Sequence, residues 1–135
     1  MTSDIAKAML AIVADRPFHI RFGGPFALQY ADDVARMFIA CARSGHQGAA
    51  TCNLRNDVTD AAAFVGMLTS KFPAAKLTFE AGNILPFPAD LDDGGLRAII
   101  RQVPHTSLEA ATDETVALFS ELVAQDKIDL AQLEN

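Results

Sequence analysis

Residues 17–44 read PFHIRFGGPFALQYADDVARMFIACARS, and the order of signals within them sets the architecture expected of the whole chain. Phe18, Ile20 and Phe22 alternate with His19 and Arg21, which is the period of a half-buried strand. Gly23-Gly24-Pro25 ends that strand, because two glycines and a proline favour neither ladder nor helix. A short extended link is expected next. Asp32 or Asp33 then opens a helix, where a carboxylate accepts orphan amide protons and faces the positive helix end. Val34, Met37, Phe38 and Cys41 make one apolar stripe of that helix. Ala35, Ile39, Ala40 and Ala42 leave Arg36 almost the only polar residue behind it. A helix apolar nearly all round calls for neighbours on both sides.

Toward the amino terminus, Ser3 is placed to cap a helix whose apolar positions are Ile5, Ala8, Met9, Ile12 and Val13. Pro17 is expected to end it, since proline disfavours helical geometry at Arg16. Toward the carboxyl terminus, residues 49–54 are expected as a second strand with Cys52 and Leu54 on one face. Thr59 or Asp60 caps a helix with the stripe Ala61, Phe64, Val65, Leu68 and Phe72, closed by Pro73. Leu77 and Phe79 alternate with polar neighbours in a third strand. Pro86 and Pro88 hold 84–91 extended as a linker. Asp92 or Asp93 opens a brief helix burying Leu96, Ile99 and Ile100. Thr106-Ser107-Leu108-Glu109 fits a reciprocal capping box for a last helix that buries Leu108, Ala111, Thr115, Phe119 and Leu122. Residues 127–135 are expected to fray. Alternation of strands and helices alone points to an α/β chain with three parallel strands.

The chain of 135 residues is long enough for one domain with its own core, and half of it is hydrophobic with 21% charged, an ordinary globular composition. Eleven basic against seventeen acidic residues give a net charge of −6 with no basic cluster, which argues against nucleic acid or an anionic membrane as partner. No apolar run reaches the ~18 residues of a membrane span. Residues 1–14 include Asp4 and Lys7 and lack a basic leader and cleavage pattern, so no signal peptide is expected. Cys41 and Cys52 form neither a zinc pattern nor a disulfide framework. A cytoplasmic protein is the simplest expectation.

No chemistry-bearing motif is complete. A dinucleotide site needs a glycine-rich turn between strand and helix, whereas Gly23-Gly24 runs into proline. Asp32-Asp33 resembles a carboxylate pair, but adjacent positions diverge at a helix start and suit capping. His19, His46 and His105 have no ligand or triad spacing. Turn and cap roles account for Ser44 and Ser107.

Four segments in order, RFGG with QYADDVAR, ATCNLRND, LPFPADLDDGGL and PHTSLEAATDETVALF, resemble the NAD-dependent epimerase/dehydratase family of extended short-chain dehydrogenases. The last is similar to that family's terminal P-x-T-x-LEEG-x-x-ET-x-x-x-F, with Ala111 in place of its usual glycine. The resemblance covers only the carboxyl-terminal, substrate-binding half of such an enzyme. It implies a small mixed α/β domain, with the strands divided between the edge of the large nucleotide-binding sheet and a small substrate lobe. It also implies Gly23, Gly24, Gln29 and Tyr30 as substrate-binding candidates, Gln29 and Tyr30 offering an amide and a phenol to a sugar hydroxyl.

The family's catalytic tyrosine and lysine stand four apart, while the sole tyrosine here, Tyr30, is followed four residues later by Val34. No catalytic residue and no cofactor site are therefore expected in this chain, although NAD or NADP is implied for an intact family enzyme. Arginines that would grip a nucleotide sugar's diphosphate are missing from the neighbourhoods of residues 25–27 and 88–90, which favours a smaller sugar or sugar acid. The partners implied are a nucleotide-binding domain or further copies of the chain.

Overall fold

The computed structural model describes residues 3–134. It is a small mixed α/β architecture of short strands and five α-helices in the order α1 Asp4–Val13, β1 Phe18–Ile20, β2 Pro25–Leu28, α2 Ala31–Ala42, β3 Asp57–Asp60, α3 Ala61–Lys71, β4 Leu77–Phe79, α4 Gly94–Ile99 and α5 Leu108–Ala124. A 3₁₀ helix, Leu130–Glu134, follows.

Three parallel strands in one sheet do not form. β1 pairs in parallel with β4, matching Phe18 to Leu77 and Ile20 to Phe79, while β2 pairs antiparallel with β3, matching Phe26 to Thr59 and Leu28 to Asp57. The divider is the glycine pair. A Cβ on Gly23 would lie 2.7 Å from the Ala81 carbonyl oxygen, and Gly24 takes φ +63°, a conformation that glycine reaches without steric penalty. The chain thereby turns out of the first sheet. Pro25, which has no amide hydrogen for a ladder, stands as the first residue of the new strand. The expected link is thus a strand. The strand expected at 49–54 is absent, and the pairing partner falls instead at Asp57–Asp60.

The larger core gathers Ile5 and Ala8 of α1, Ile20, Phe26, and Ala61, Phe64, Val65 and Leu68 of α3. The α3 set recurs at the helical spacing that puts one face inward. Asp60 caps this helix by accepting from the Ala63 amide at 2.8 Å. Phe26 meets Phe22 and Phe64 edge-on, with centroids 5.2 and 6.1 Å away, a favourable arrangement for ring quadrupoles. A smaller cluster joins Met37 of α2 to Leu96 and Ile100, with Cys41, Cys52 and Leu54 packed against it. Both cysteines are free and half-buried.

Helix ends differ from expectation in several places. α1 stops before Pro17: Asp15 adopts φ 49° and the Arg16 amide reaches back to the Ala11 carbonyl at 2.9 Å, a left-handed stop. Ser3 occupies its N-cap position without a side-chain bond. In its place Asp4, buried, takes the Arg21 guanidinium at 2.6 Å and the Arg21 amide at 2.8 Å. Hydrogen bonding to Arg21 holds the Asp4 carboxyl below its ordinary range despite burial.

The capping box does not form either. Ser107 caps α5, accepting from the Ala110 amide at 3.3 Å, and Thr106 turns toward α2. The face expected to be buried on α5 is only half-buried, with Thr112 the buried residue of that helix. The tail does not fray through its described part: the 3₁₀ helix rests on α1, with Arg16 3.6 Å from Glu134, and Asn135 lies outside the described residues. Among the described residues no helix is long and apolar enough to cross a membrane.

Candidate functional site

α2 begins at Ala31, with Tyr30 at the N-cap position and no side-chain cap. The two aspartates expected to cap it do other things. Asp32 pairs with Arg36 at 2.5 Å along the helix surface. Asp33 is 1% exposed and faces inward. It accepts from the Thr106 amide at 2.5 Å, the Thr106 hydroxyl at 3.0 Å and the Asn56 amide at 3.2 Å. One carboxylate thus ties the start of α2 to the lead-in of α5 and to the approach to β3. Burial of a carboxylate is tolerated where it is hydrogen-bonded in this way.

Around this tie lies a cleft of about 530 Å³. Its apolar wall comes from Ile5, Met9, Phe64, Leu108 and Leu118, and its polar groups include Gln29, Tyr30, Asn56 and Thr106. A mostly apolar hollow with a few convergent polar groups is the usual form of a small-molecule site. Gln29 and Tyr30 are therefore brought together at one cavity. Both have protein partners. The Gln29 amide donates to the Leu54 carbonyl at 2.8 Å, and the Tyr30 hydroxyl donates to the Glu114 carboxylate. The Glu114 carboxylate beside it, aided by desolvation, pushes the Tyr30 phenol up to about 12. At neutral pH this phenol keeps its proton. Its oxygen and the Gln29 carbonyl remain acceptors for a ligand hydroxyl.

Gly23 and Gly24 are not at this cleft. The Gly23 amide donates to the Asn83 carbonyl at 2.8 Å, and the Gly24 carbonyl accepts from the Ala61 amide at 3.3 Å, so both serve the turn between the sheets. His19 meets the Thr78 hydroxyl at 2.8 Å across the first sheet, and His105 Nε2 lies 3.0 Å from Asp57. Among the described residues no group of three or more His, Cys, Asp or Glu is placed to hold a metal ion.

Asn56 and Asp57 also wall a second, more polar cleft of about 390 Å³, with Arg55, Val58, Arg97, Val103 and His105. No arginine stands beside residues 88–90 in the chain, yet folding delivers one: Arg55 Nε donates to Asp90 at 2.6 Å. No local signal marks that encounter, since the two residues are 35 apart in the chain.

Compared with protein-family models and with curated proteins, the chain matches none.

Proposed function

We propose that this chain is a substrate-binding unit resembling the carboxyl-terminal part of an NAD-dependent epimerase/dehydratase, holding a sugar or sugar acid without a cofactor site of its own. The observation that carries this is the convergence of Gln29 and Tyr30 on one largely apolar cleft, at the start of the helix that the resemblance makes substrate-facing. Apolar walls suit the carbon face of a pyranose ring, and the free acceptors on Gln29 and Tyr30 suit its hydroxyls. Calorimetric titration with a panel of aldoses and uronates tests it. Saturable binding that falls in Gln29→Ala is the expected result, with no binding of NAD or NADP. Micromolar binding of either dinucleotide would overturn the absence of a cofactor site.

A second reading has its own observation. Phe38 is 68% and Ile39 50% exposed, side by side on α2. Each large apolar side chain left in water forgoes roughly 1.5–3 kcal/mol, and adjacent ones favour a covering partner. That is the reading of a homo-oligomer, or of a module that docks on a nucleotide-binding domain. Sedimentation at micromolar concentration, repeated with Ile39→Glu, tests self-association. A monomer with unchanged stability in both proteins would remove it.

A further inference from the structure

Beyond the apolar cleft, we infer that the polar cleft between β3, α4 and the lead-in to α5 binds a small hydroxylated anion, a sugar acid or a sugar phosphate. The inference stands whether or not the chain belongs to a dehydrogenase, since it uses a different cavity, which shares Asn56 and Asp57 with the apolar one but adds Arg55, Arg97 and His105.

Three cationic or ionisable donors line this cleft from distant parts of the chain: Arg55, Arg97 and His105. Their carboxylate partners leave part of each guanidinium unused. Arg55 engages Asp90 through Nε at 2.6 Å, and its two terminal nitrogens have no hydrogen-bond partner among the described residues. Arg97 donates to Asp93 Oδ1 through Nε at 2.9 Å, and its Nη2 lies in ion-pair contact 2.8 Å from Asp93 Oδ2. Asp90 and Asp93 are not among the residues lining the cleft, so they grip the guanidinium groups from outside it. The Arg55 and Asp90 side chains are 40% and 68% exposed, an ion pair weak enough to admit a further anion, while Arg97, itself 59% exposed, is anchored to an Asp93 side chain that is 10% exposed. Planar guanidinium groups pair with carboxylate and phosphate through parallel hydrogen bonds that a lysine cannot reproduce.

The hydroxyl requirement comes from Asn56 and Asp57, which also line the cleft. Asp57 accepts from His105 through one oxygen, at 3.0 Å, and supplies acceptor capacity beside it. Asn56 Oδ1 is buried and has no hydrogen-bond partner among the described residues. Its side chain is held through Nδ2 by one long bond of 3.2 Å to Asp33, and Asn56 lines this cleft as well as the apolar one. An unsatisfied buried acceptor is costly, and a hydroxyl donor removes the cost. A ligand that carries both an anionic group and hydroxyls matches both sets of side chains. A simple neutral sugar matches one.

Titration of the full chain, followed by NMR at the arginine Nε–Hε resonances and at the amides of residues 55–58 and 103–105, tests this. Gluconate and ribose 5-phosphate are the probes, with inorganic phosphate and glucose beside them. Saturable shifts of Arg55 and Arg97 with gluconate or ribose 5-phosphate are expected, with weaker binding of phosphate and none of glucose at these residues. A preference for gluconate assigns a carboxylate, and a preference for ribose 5-phosphate assigns a phosphoryl group. Arg97→Gln and Arg55→Gln should each weaken binding about tenfold. Arg36→Gln, on the surface of α2, should leave it unchanged. Absence of saturable shifts with every anion in the wild-type chain overturns the proposal even if a variant fails to fold. Equal response to glucose, or affinity unaffected by both arginine substitutions in folded protein, overturns it as well.

Discussion

α1 and α2 look alike on paper and are used differently. α1 buries Ile5, Ala8, Leu10 and Ala11, has the 3₁₀ helix and α5 laid against it, and contributes to the larger core. α2 buries Met37 and Asp33 and leaves Phe38 and Ile39 in solvent. Apolar content is similar in both, so composition does not decide burial. The difference is in what the rest of the chain brings to each. α1 is held by apolar contact on several sides, whereas α2 is held at its start by one buried carboxylate and further along by Met37, with Ala40 and Cys41 packed beside it. The cleft assigned to a sugar sits where these two modes of attachment meet.

The largest effect that sharpens this contrast is in the core. Phe64→Ala removes a ring that is 1% exposed and should cost about 3–5 kcal/mol in urea unfolding. Phe38→Ala on α2 should change stability by no more than about 0.5 kcal/mol. Comparable losses at the two positions would mean that α2 is covered in solution and that the contrast is false.

Next comes the polar anchor. Asp33→Ala strands the Thr106 amide and hydroxyl and the Asn56 amide, and should cost about 3 kcal/mol. Asp32→Ala, which loses an exposed ion pair with Arg36, should cost about 0.3–0.5 kcal/mol. Equal small losses would restore both aspartates to capping.

What the sequence disclosed was local. The α3 stripe with Asp60 as its cap, the alternation at Leu77 and Phe79, and the inward pair Leu96 and Ile100 all follow from neighbours within a few residues, and all are present. β3 was missed because three of the four residues of Asp57–Asp60 are polar. It becomes a strand because the turn at Gly23–Gly24 presents β2 to it, and strand formation depends on such cross-strand partners more than on intrinsic preference. The Asp33–Thr106 tie spans 73 residues, and a cap explains an aspartate at a helix start equally well until that partner is seen. Gln29 and Tyr30 were legible as candidates through resemblance. The polar cleft was not, because Arg55, Arg97 and His105 meet only through the fold.

A finer test concerns the junction of α2 with α5. The single tyrosine makes its titration readable by ultraviolet absorbance. With the phenol raised from 10.0 to about 12 by Glu114, the associated stability is fully present below pH 10 and is lost between pH 10 and about pH 12. Glu114→Gln should bring the midpoint back toward 10. A wild-type midpoint already near 10 would mean that the Tyr30–Glu114 bond is not maintained in solution.

The smallest expected effect concerns helix stops. Asp126, after α5, has φ 54°, as Asp15 after α1 has φ 49°, but Asp15 is also tied to Lys76 at 2.9 Å. Glycine takes this conformation without Cβ strain, so Asp126→Gly should stabilise by up to about 1 kcal/mol. Asp15→Gly should gain less, and the reverse order in thermal melts would contradict the role given to Lys76.

The central claim, that a sugar or sugar acid binds at the start of α2, is tested most directly by two-dimensional NMR of the full chain titrated with the aldose and uronate panel. Saturable shifts of the Gln29 side-chain amide, the Tyr30 ring and the amides of Ala31, Ala111 and Thr115, abolished in Gln29→Ala, are the predicted result. Saturation with no response at these residues, or shifts confined to Arg55, Arg97 and His105, would contradict it.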